Sequence, residues 1–304
     1  MFADANVSAN ALGRKALRIV TLASCHNRRA STLAALTDLH AQVLPAGVEV
    51  GHVIVDDGSE DGTAAAANEA FPNVVVLPGS GQLYWAGGMR FGWEQYASHQ
   101  AFDYLFVYND DARFDATALS DLLNVAESQV GSFVVVGSFL DLDEKQTTYG
   151  ARRRSSRWHP FKFGRVVEPD GAIQDADTLN MNGALISRGA LETVGFLSDY
   201  FVHSNADFEY GLKLRKAGGR VLVAPRHIGR CALNPASRIT PLDAPSLRAA
   251  LKMLFDPKRE PVAQRLGLYR RHGGWFWPLL WIAPYLTIWF QPLRRRRIQG
   301  EHES

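Results

Sequence analysis

The sequence predicts an α/β protein whose mostly parallel sheet is covered by helices on both faces. Two observations lead to this fold class. Short apolar runs rich in β-branched and aromatic residues alternate with longer helix-like segments, and polar residues gather directly after the apolar runs. The 304 residues, 46% of them hydrophobic and 21% charged, exclude a disordered chain, a collagen and a coiled coil, and they suffice for a large core.

Each apolar run is too short for a helix and is therefore predicted to be a buried strand. The predicted strands cover residues 18–24, 50–55, 74–77, 104–108 and 133–136. The predicted helices cover residues 31–43, 62–70, 87–98, 116–127 and 206–217. Such alternation is typical of a parallel sheet, in which ligands bind where the strands end at their carboxyl termini.

Several classes of protein are excluded by what the sequence lacks. No GxGxxG follows the first predicted strand and no GxxxxGK[ST] occurs, which argues against a dinucleotide oxidoreductase and a P-loop NTPase. Two cysteines, Cys25 and Cys231, cannot form a disulfide framework, nor can two thiols alone form a zinc site. The first residues show no basic stretch leading into an apolar run, so we expect no signal peptide and a reducing cytoplasm.

Charge is distributed unevenly along the chain. Residues 1–149 carry 8 Lys and Arg against 18 Asp and Glu, whereas the remainder carries 25 against 13. A basic half predicts an anionic partner, which could be nucleic acid, a membrane surface or a phosphorylated substrate. We rank nucleic acid last, because the aromatic residues of the basic half cluster in an apolar segment rather than alternating with Lys and Arg.

Polar residues after the strands are candidates for chemistry, and each has a plainer structural reading. Asp110 and Asp111 could hold a hard divalent cation or could cap the following helix. A carboxylate of the pair Asp56 and Asp57 could bind a nucleobase or a ribose, although an Asp-Gly-Ser turn is common. Asp207 could be a general base or could simply complement a helix dipole.

Two aromatic and two glycine residues stand together before the helix predicted at 87–98. Tyr84 and Trp85 could stack on a sugar or a base, and Gly87 and Gly88 would let the backbone approach a ligand closely. Packing of the aromatic rings in the core is an equal alternative.

In the order of its motifs, the chain resembles the family-2 glycosyltransferases of the GT-A type. The motifs are Ser-Cys-His-Asn-Arg (24–28), Val-Asp-Asp-Gly-Ser (55–59), Gly-Gly-Met (87–89), Asn-Asp-Asp (109–111), Asn-Gly-Ala (182–184) and Asp207. The resemblance spans about residues 17–230. The stretch Tyr-Trp-Ala-Gly-Gly-Met (84–89) is most similar to bacterial enzymes that build surface polysaccharides, including rhamnosyltransferase-like members.

The resemblance implies a nucleotide-diphospho-sugar donor, a divalent cation (Mg²⁺ or Mn²⁺) and inversion at the anomeric carbon. It implies that Asp207 is the catalytic base, with Ala206 standing where the family often has Glu. The metal positions that it implies are Asn109, Asp111 and His227, and Asn109 replaces the usual first acid. It implies that Asp57 reads the base, with Asn27 lining the same pocket. The full set of expected donor-binding residues is Cys25, Asn27, Asp56, Asp57, Trp85, Gly87, Gly88 and Asp110.

The C-terminal third carries a run of 21 uncharged residues at 273–293, flanked by arginines at 270–271 and 294–297. Its length would cross a bilayer, but three prolines interrupt it and basic residues flank both ends. We therefore expect an interfacial or re-entrant membrane anchor, with a helical hairpin buried in a homodimer as the alternative. An anchor would bring the site to a lipid-linked acceptor.

The predicted organisation is an N-terminal tail at 1–16, a GT-A domain at 17–235 and a membrane-associating helical region at 236–304. The predicted function is transfer of a sugar to a glycan or polyprenyl-linked acceptor in cell-surface polysaccharide synthesis, at the cytoplasmic face of the plasma membrane. Two alternatives stay open. A nucleotidyltransferase would want a Gly- and Lys-rich loop after the first strand, and a non-catalytic binding protein would explain Ala206 and Asn109.

Overall fold

A computed structural model describes residues 16–234, 244, 246–256 and 261–289. Nearly all of the predicted N-terminal tail and the arginines at 294–297 lie outside the described residues. The strands are β1 (Leu17–Cys25), β2 (Val48–Asp56), β3 (Val75–Pro78), β4 (Tyr104–Tyr108), β5 (Arg113–Phe114), β6 (Phe133–Leu140), β7 (Thr147–Tyr149), β8 (Ala151–Arg154), β9 (Phe163–Val166), β10 (Gln174–Ala176), β11 (Thr178–Leu179), β12 (Gly183–Ser187) and β13 (Arg220–Arg230). The helices are α1 (Arg29–His40), α2 (Thr63–Ala70), α3 (Tyr84–Gln95), α4 (Ala118–Glu127), α5 (Arg188–Val194), α6 (Ala206–Lys216), α7 (Leu247–Leu254), α8 (Val262–His272) and α9 (Trp277–Trp289).

One large sheet organises the molecule, with strand order β10-β13-β6-β12-β4-β1-β2-β3. The strands from β4 to β3 are parallel, and the register sets Cys25 opposite Asp56 and Asp56 opposite Pro78. The carboxyl ends of β1, β2 and β3 are therefore level with one another. This confirms the predicted edge at which the polar loops meet.

The other half of the sheet is mixed. Strand β12 runs antiparallel to both of its neighbours, β4 and β6, whereas β13 is parallel to β6. Between β6 and β12 the chain forms the small antiparallel sheet β11-β8-β9, while β7 and β10 of the same segment pair with β6 and β13 of the large sheet. Because β12 pairs Gly183 with Tyr108, the residues just before Gly183 lie beside those that follow β4.

Helices cover both faces of this sheet, as the sequence predicts. Alternate residues of each strand point to opposite faces, so Leu22 belongs to one apolar cluster and Ile19 to the other. The first cluster contains residues of α3, α5, α6 and α8, and the second contains residues of α1, α2 and α4. The α/β fold class is confirmed, with helices holding the sheet from two sides.

The C-terminal helices pack against the first of these clusters. Leu268 and Tyr269 of α8 are buried in it, and Trp277, Leu280 and Trp281 of α9 pack on it. Helix α9 has 13 residues and includes a proline, Pro284. Among the helices of the described residues, none is both long enough and apolar enough to span a bilayer.

Candidate active site

The loops after β1 and β2 are tied to each other by a left-handed residue. Asn27 has a φ of 51°, a conformation that Asn tolerates better than most side chains. Its backbone N–H donates to Ser59 Oγ at 2.8 Å, and its side-chain Oδ1 accepts from the N–H of Glu60 at 2.7 Å. Asn27 is exposed on this edge, so the structure keeps it open to a ligand.

The carboxylate of Asp57 shapes the next loop and the start of α3. Its Oδ1 accepts from the N–H of Gly81 at 2.7 Å, and its Oδ2 accepts from the N–H groups of Leu83 and Tyr84 at 2.9 and 3.0 Å. Asp57 is 4% exposed. A carboxylate on these amides stabilises a helix start, and it holds Tyr84 at a φ of 55°. Asp57 thus has a structural role, and its reading of a base stays a prediction.

Asp56, one residue earlier, is also turned inward. It is 6% exposed, and its Oδ1 accepts from the N–H of Ser59 at 3.2 Å. The contact closes the turn after β2, which is the plainer of the two sequence interpretations. Whether Asp56 also contacts a donor stays a prediction.

Helix α3 begins at Tyr84, three residues before the predicted start, so the aromatic and glycine residues lie in its first turns. Gly88 packs the helix against β1, because a Cβ there would lie 2.2 Å from Ser24 Oγ. Gly88 therefore has a packing role, and its approach to a donor stays a prediction. Gly87 has no such neighbour, since a Cβ there would meet its nearest atom at 3.5 Å. Trp85 packs against the core while its indole nitrogen has no hydrogen-bond partner.

The start of α3 is also joined to the loop that precedes α6. The backbone N–H of Ala86 donates to the carbonyl of Val202 at 3.0 Å. The guanidinium of Arg90 donates to the carbonyls of Ser198 and Phe201 at 3.0 and 2.6 Å. These bonds hold the expected donor side of the site against the segment that leads to Asp207.

The loop after β4 presents three polar side chains in three different states. Asp110 is 4% exposed, and burial raises its pKa to about 6 even though Arg28 lies 3.0 Å from it. The contact of Asp110 with a donor stays a prediction. Asp111 is 40% exposed at its side chain and lies 2.8 Å from the same guanidinium. Asn109 Oδ1 is buried and has no hydrogen-bond partner.

Arg28 is the residue of this loop cluster whose role the sequence interpretation missed. A single nitrogen of its guanidinium bridges both carboxylates, and its side chain stays 46% exposed. An exposed guanidinium at the edge where a diphosphate would lie can stabilise the negative charge of its oxygens. The sequence signal was present, since Arg28 stands in the first matched motif, but only the fold places it beside β4.

Asp207 lies in the first turn of α6, behind the left-handed residue Asn205 with a φ of 65°. Its Oδ1 accepts from the N–H of Phe208 at 2.8 Å, and its Oδ2 accepts from Asn180 Nδ2 at 3.2 Å. Burial raises the pKa of Asp207, and these hydrogen bonds oppose the rise. Ala206, beside it, is fully buried and offers no carboxylate.

The region around Asp207 is connected to the loop of Asp111. Asn182, beside the end of β4, accepts the N–H of Asn109 with its carbonyl at 3.3 Å and donates from Nδ2 to the sulfur of Cys231 at 3.5 Å. The Cys231 thiol lies 3.8 Å from Asp111 Oδ1. The short segment 180–182 thus contacts Asp207 through the side chain of Asn180 and the loop of Asp111 through the carbonyl of Asn182.

The 109–111 loop has donors that fit a hard divalent cation. Asp111 offers an exposed carboxylate and Asn109 an amide oxygen without a partner, and oxygen ligands are those that Mg²⁺ and Mn²⁺ prefer. Within the described residues no three His, Cys, Asp or Glu side chains cluster as a ready metal site. Further ligands would therefore come from the donor and from water.

His227 and Cys25 are not part of this arrangement. His227 lies within β13, where its Nε2 contacts Thr147 Oγ1 at 2.8 Å and Glu168 at 4.0 Å. Cys231, which follows β13, lies 3.8 Å from Asp111. The metal role of His227 stays a prediction. Cys25 is 3% exposed within the core, and burial raises the pKa of its thiol. Its donor contact also stays a prediction.

A buried ion pair ties the helix of Asp207 to the C-terminal helices. His272 Nε2 at the end of α8 lies 3.2 Å from Glu209 Oε1, with the two side chains 8% and 2% exposed. Ser198 Oγ donates to the other oxygen of Glu209 at 2.8 Å. Glu209 is two residues beyond Asp207 on α6, so α8 fixes the helix that carries the expected base.

Comparison with known proteins favours a glycosyltransferase over a nucleotidyltransferase or a non-catalytic binding protein. The family model described as Glycosyl transferase family 2 matches residues 22–194. The chain belongs to glycosyl transferase family 2. The matched segment contains the loops after β1, β2 and β4, whereas Asp207 lies beyond it. No curated protein matches the sequence significantly.

Two solved glycosyltransferase structures share the fold. One is the mannosyltransferase PcManGT from Pyrobaculum calidifontis in complex with GDP-Man and Mn²⁺, at 16% identity and a TM-score of 0.54, covering 94% of this chain and 75% of that one. The other is GalNAc-T7 with UDP, GalNAc and Mn²⁺, at 15% identity and a TM-score of 0.54, covering 78% of this chain and 47% of that one. The match therefore spans about half the length of GalNAc-T7. These likenesses show the GT-A fold, and the family match makes the chain a glycosyltransferase.

Proposed function

We propose that this glycosyltransferase moves a sugar from a nucleoside-diphosphate donor to an acceptor hydroxyl, with inversion at the anomeric carbon. The observation that carries the proposal is the state of Asp207. It lies in the first turn of α6, where its two oxygens accept hydrogen bonds from the backbone N–H of Phe208 and from Asn180 Nδ2, and burial raises its pKa. These contacts support Asp207 as the proton acceptor, and the exposed carboxylate of Asp111 supports a leaving-group site on the loop after β4.

Asp207 would take the proton of the acceptor hydroxyl as the oxygen attacks the anomeric carbon. A carboxylate whose pKa is raised is a better base than an ordinary aspartate, because it holds the proton more firmly once transferred. Asn180 and the backbone N–H of Phe208 fix the orientation of the two oxygens. Attack from the face opposite the diphosphate then inverts the configuration.

The donor would lie along the loops after β1, β2 and β4. Asn27 is exposed there, Arg28 presents a partly exposed guanidinium, and Trp85 and Gly87 lie in the first turns of α3. Asn109 and Asp111 would hold a divalent cation, which supplies positive charge to the diphosphate oxygens when bound. Both solved neighbours contain Mn²⁺, one with GDP-Man and the other with UDP and GalNAc, which supports a donor and a cation of this kind.

The acceptor that we propose is a hydroxyl of a glycan or of a polyprenyl-linked intermediate in cell-surface polysaccharide synthesis, reached at the cytoplasmic face of the plasma membrane. Support comes from the resemblance of the 84–89 stretch to enzymes of that pathway class and from the apolar, arginine-flanked C-terminal segment. The donor's sugar and base are left to experiment.

A donor panel tests this function. The full chain is titrated with UDP-, dTDP- and GDP-sugars, with Mn²⁺, with Mg²⁺ and with a chelator, beside Asp111→Ala and the surface control Asp143→Ala, whose side chain is 73% exposed. We expect one donor to bind in a cation-dependent way, with Asp111→Ala weakening binding at least tenfold and Asp143→Ala leaving it unchanged. Binding of no nucleotide sugar under any condition would contradict the proposal and favour a non-catalytic role for the fold.

A further inference from the structure

Helix α9 is apolar on both of its faces. Trp277, Leu280 and Trp281 pack on the core. On the other side Leu279 and Leu286 are 66% and 49% exposed, and Ile282, three and four residues from them, is 37% exposed. The spacing 279, 282, 286 follows one stripe of a helix. A globular protein in water normally places polar residues on such an outward stripe.

Three exposed aromatic side chains lie on segments next to α8 and α9. Trp275 and Phe276, in the short helical turn before α9, are 98% and 71% exposed. Trp158, in the loop between β8 and β9, is 95% exposed. That loop is held against α8, because the Phe161 ring stacks on Tyr269 with centroids 4.1 Å apart. We define the aromatic surface as Trp158, Trp275, Phe276, Leu279, Ile282 and Leu286.

The two segments that carry the aromatic surface contain Lys and Arg but no Asp or Glu. Residues 151–167 contain six Lys and Arg and no Asp or Glu, and residues 261–289 contain three Arg and no acid. Arg157, Lys162, Arg270 and Arg271 are exposed. Tryptophan prefers the headgroup region of a bilayer, and basic side chains beside it favour anionic lipid.

We propose that the aromatic surface docks the protein peripherally on an anionic lipid bilayer. A second copy of the chain fits less well as the partner. A symmetric pairing through this surface would bring the neighbouring arginines, such as Arg270 and Arg271, of both copies close together. The inference rests on the proposed function in one respect, namely that docking would bring the site to a lipid-linked acceptor. The His272–Glu209 pair then links the docked helices to α6, so that Asp207 keeps a fixed position relative to the membrane.

Flotation with vesicles tests the docking without any donor or acceptor. The full chain is mixed with vesicles of phosphatidylcholine alone or with added phosphatidylglycerol, at low and high salt. The variants are Trp275→Ser/Phe276→Ser, Trp158→Ser and the control Val130→Ser, whose side chain is 97% exposed elsewhere. We expect binding to the anionic vesicles that salt weakens, a loss of about tenfold or more for the double variant, and no change for the control. Quenching of tryptophan by lipids with brominated chains gives a second readout.

Two results would overturn the proposal. One is equal flotation of the native chain and the double variant. The other is a dimer in sedimentation equilibrium that the double variant dissociates, because this would assign the surface to a second copy. Donor titration of the same variants separates the two proposals. Lost flotation with intact donor binding concerns the surface alone, whereas flotation without any donor binding would contradict the proposed function.

Discussion

Removing the side-chain amide that holds Asp207 should shift the pH dependence of transfer. Asn180 Nδ2 donates to Asp207 Oδ2 at 3.2 Å and lowers a pKa that burial raises. Asn180→Ala removes that donor, so the pKa of Asp207 should rise further. A hydrogen bond to a buried carboxylate contributes roughly 1.5–3 kcal/mol, and one pKa unit corresponds to about 1.4 kcal/mol. Since 3.2 Å is long for a charged pair, we expect the lower end, a rise of about one unit.

The assay is kcat of sugar transfer against pH under saturating donor and acceptor. Asp207 acts as a base only when ionised, so activity falls as the pH drops through its pKa, and Asn180→Ala should move this acid limb about one unit upward. Asn124→Ala, an exposed substitution on α4, is the matched control. An acid limb that stays in place, or moves to lower pH, would refute the assignment of Asp207 as the base.

Three further predictions concern stability, each measured as the free energy of unfolding in denaturant. Asp57→Asn should lose about 2–3 kcal/mol, because the amide cannot accept from all three backbone N–H groups that Asp57 now binds; a loss below about 0.5 kcal/mol would contradict the capping role. Gly88→Ala should cost about 1–3 kcal/mol through its clash with Ser24, whereas Gly87→Ala should be tolerated; equal costs would show that α3 does not pack as described. Burial lowers the pKa of His52 to about 3, and His40 adds to the shift. The unfolded chain therefore binds a proton at His52 more readily than the native state does. The free energy of unfolding should fall by about 1.4 kcal/mol per pH unit as the pH drops below 6.5. His52→Gln should reduce this dependence of the free energy of unfolding on pH. An unchanged dependence would refute protonation of His52 as its cause.

The sequence predicted the parts of the fold that depend on local pattern. The five apolar runs became β1, β2, β3, β4 and β6, because a β-branched run too short for a helix can bury both faces only within a covered sheet. The mixed half was not predictable in this way. Strand β12 runs antiparallel to β4 because of the way in which the preceding segment, β7–β11, folds. The residues of β12 itself do not indicate this direction.

The sequence could indicate which residues belong to the candidate site but not the direction in which each side chain points. Asp111 and Asp207 could be named from the sequence because their motifs are local, and their roles stay predictions. Cys25, Gly88 and Asp110 stand in the same motifs, but their side chains or Cβ positions point into the protein. Which way a loop residue points depends on neighbours distant in sequence, such as Arg28 beside Asp110, 82 residues apart.

Partners supplied by other elements were the hardest to foresee. Asn180 orients Asp207 from 27 residues upstream, and His272 reaches Glu209 from 63 residues downstream. Neither residue stands in a motif, and either would pass as an ordinary polar residue. Their roles follow from the packing of β11, α6 and α8, which only the three-dimensional structure shows.

The central claim is that Asp207 performs the chemical step and does not hold the donor. Asp207→Asn keeps the shape of the side chain and removes its basicity, so it should bind the donor as the native chain does while transfer falls by about 10²-fold or more. Donor affinity by calorimetry and transfer by product formation, measured on one preparation, give both quantities. Transfer within a few-fold of native, or donor binding lost together with transfer, would contradict the claim.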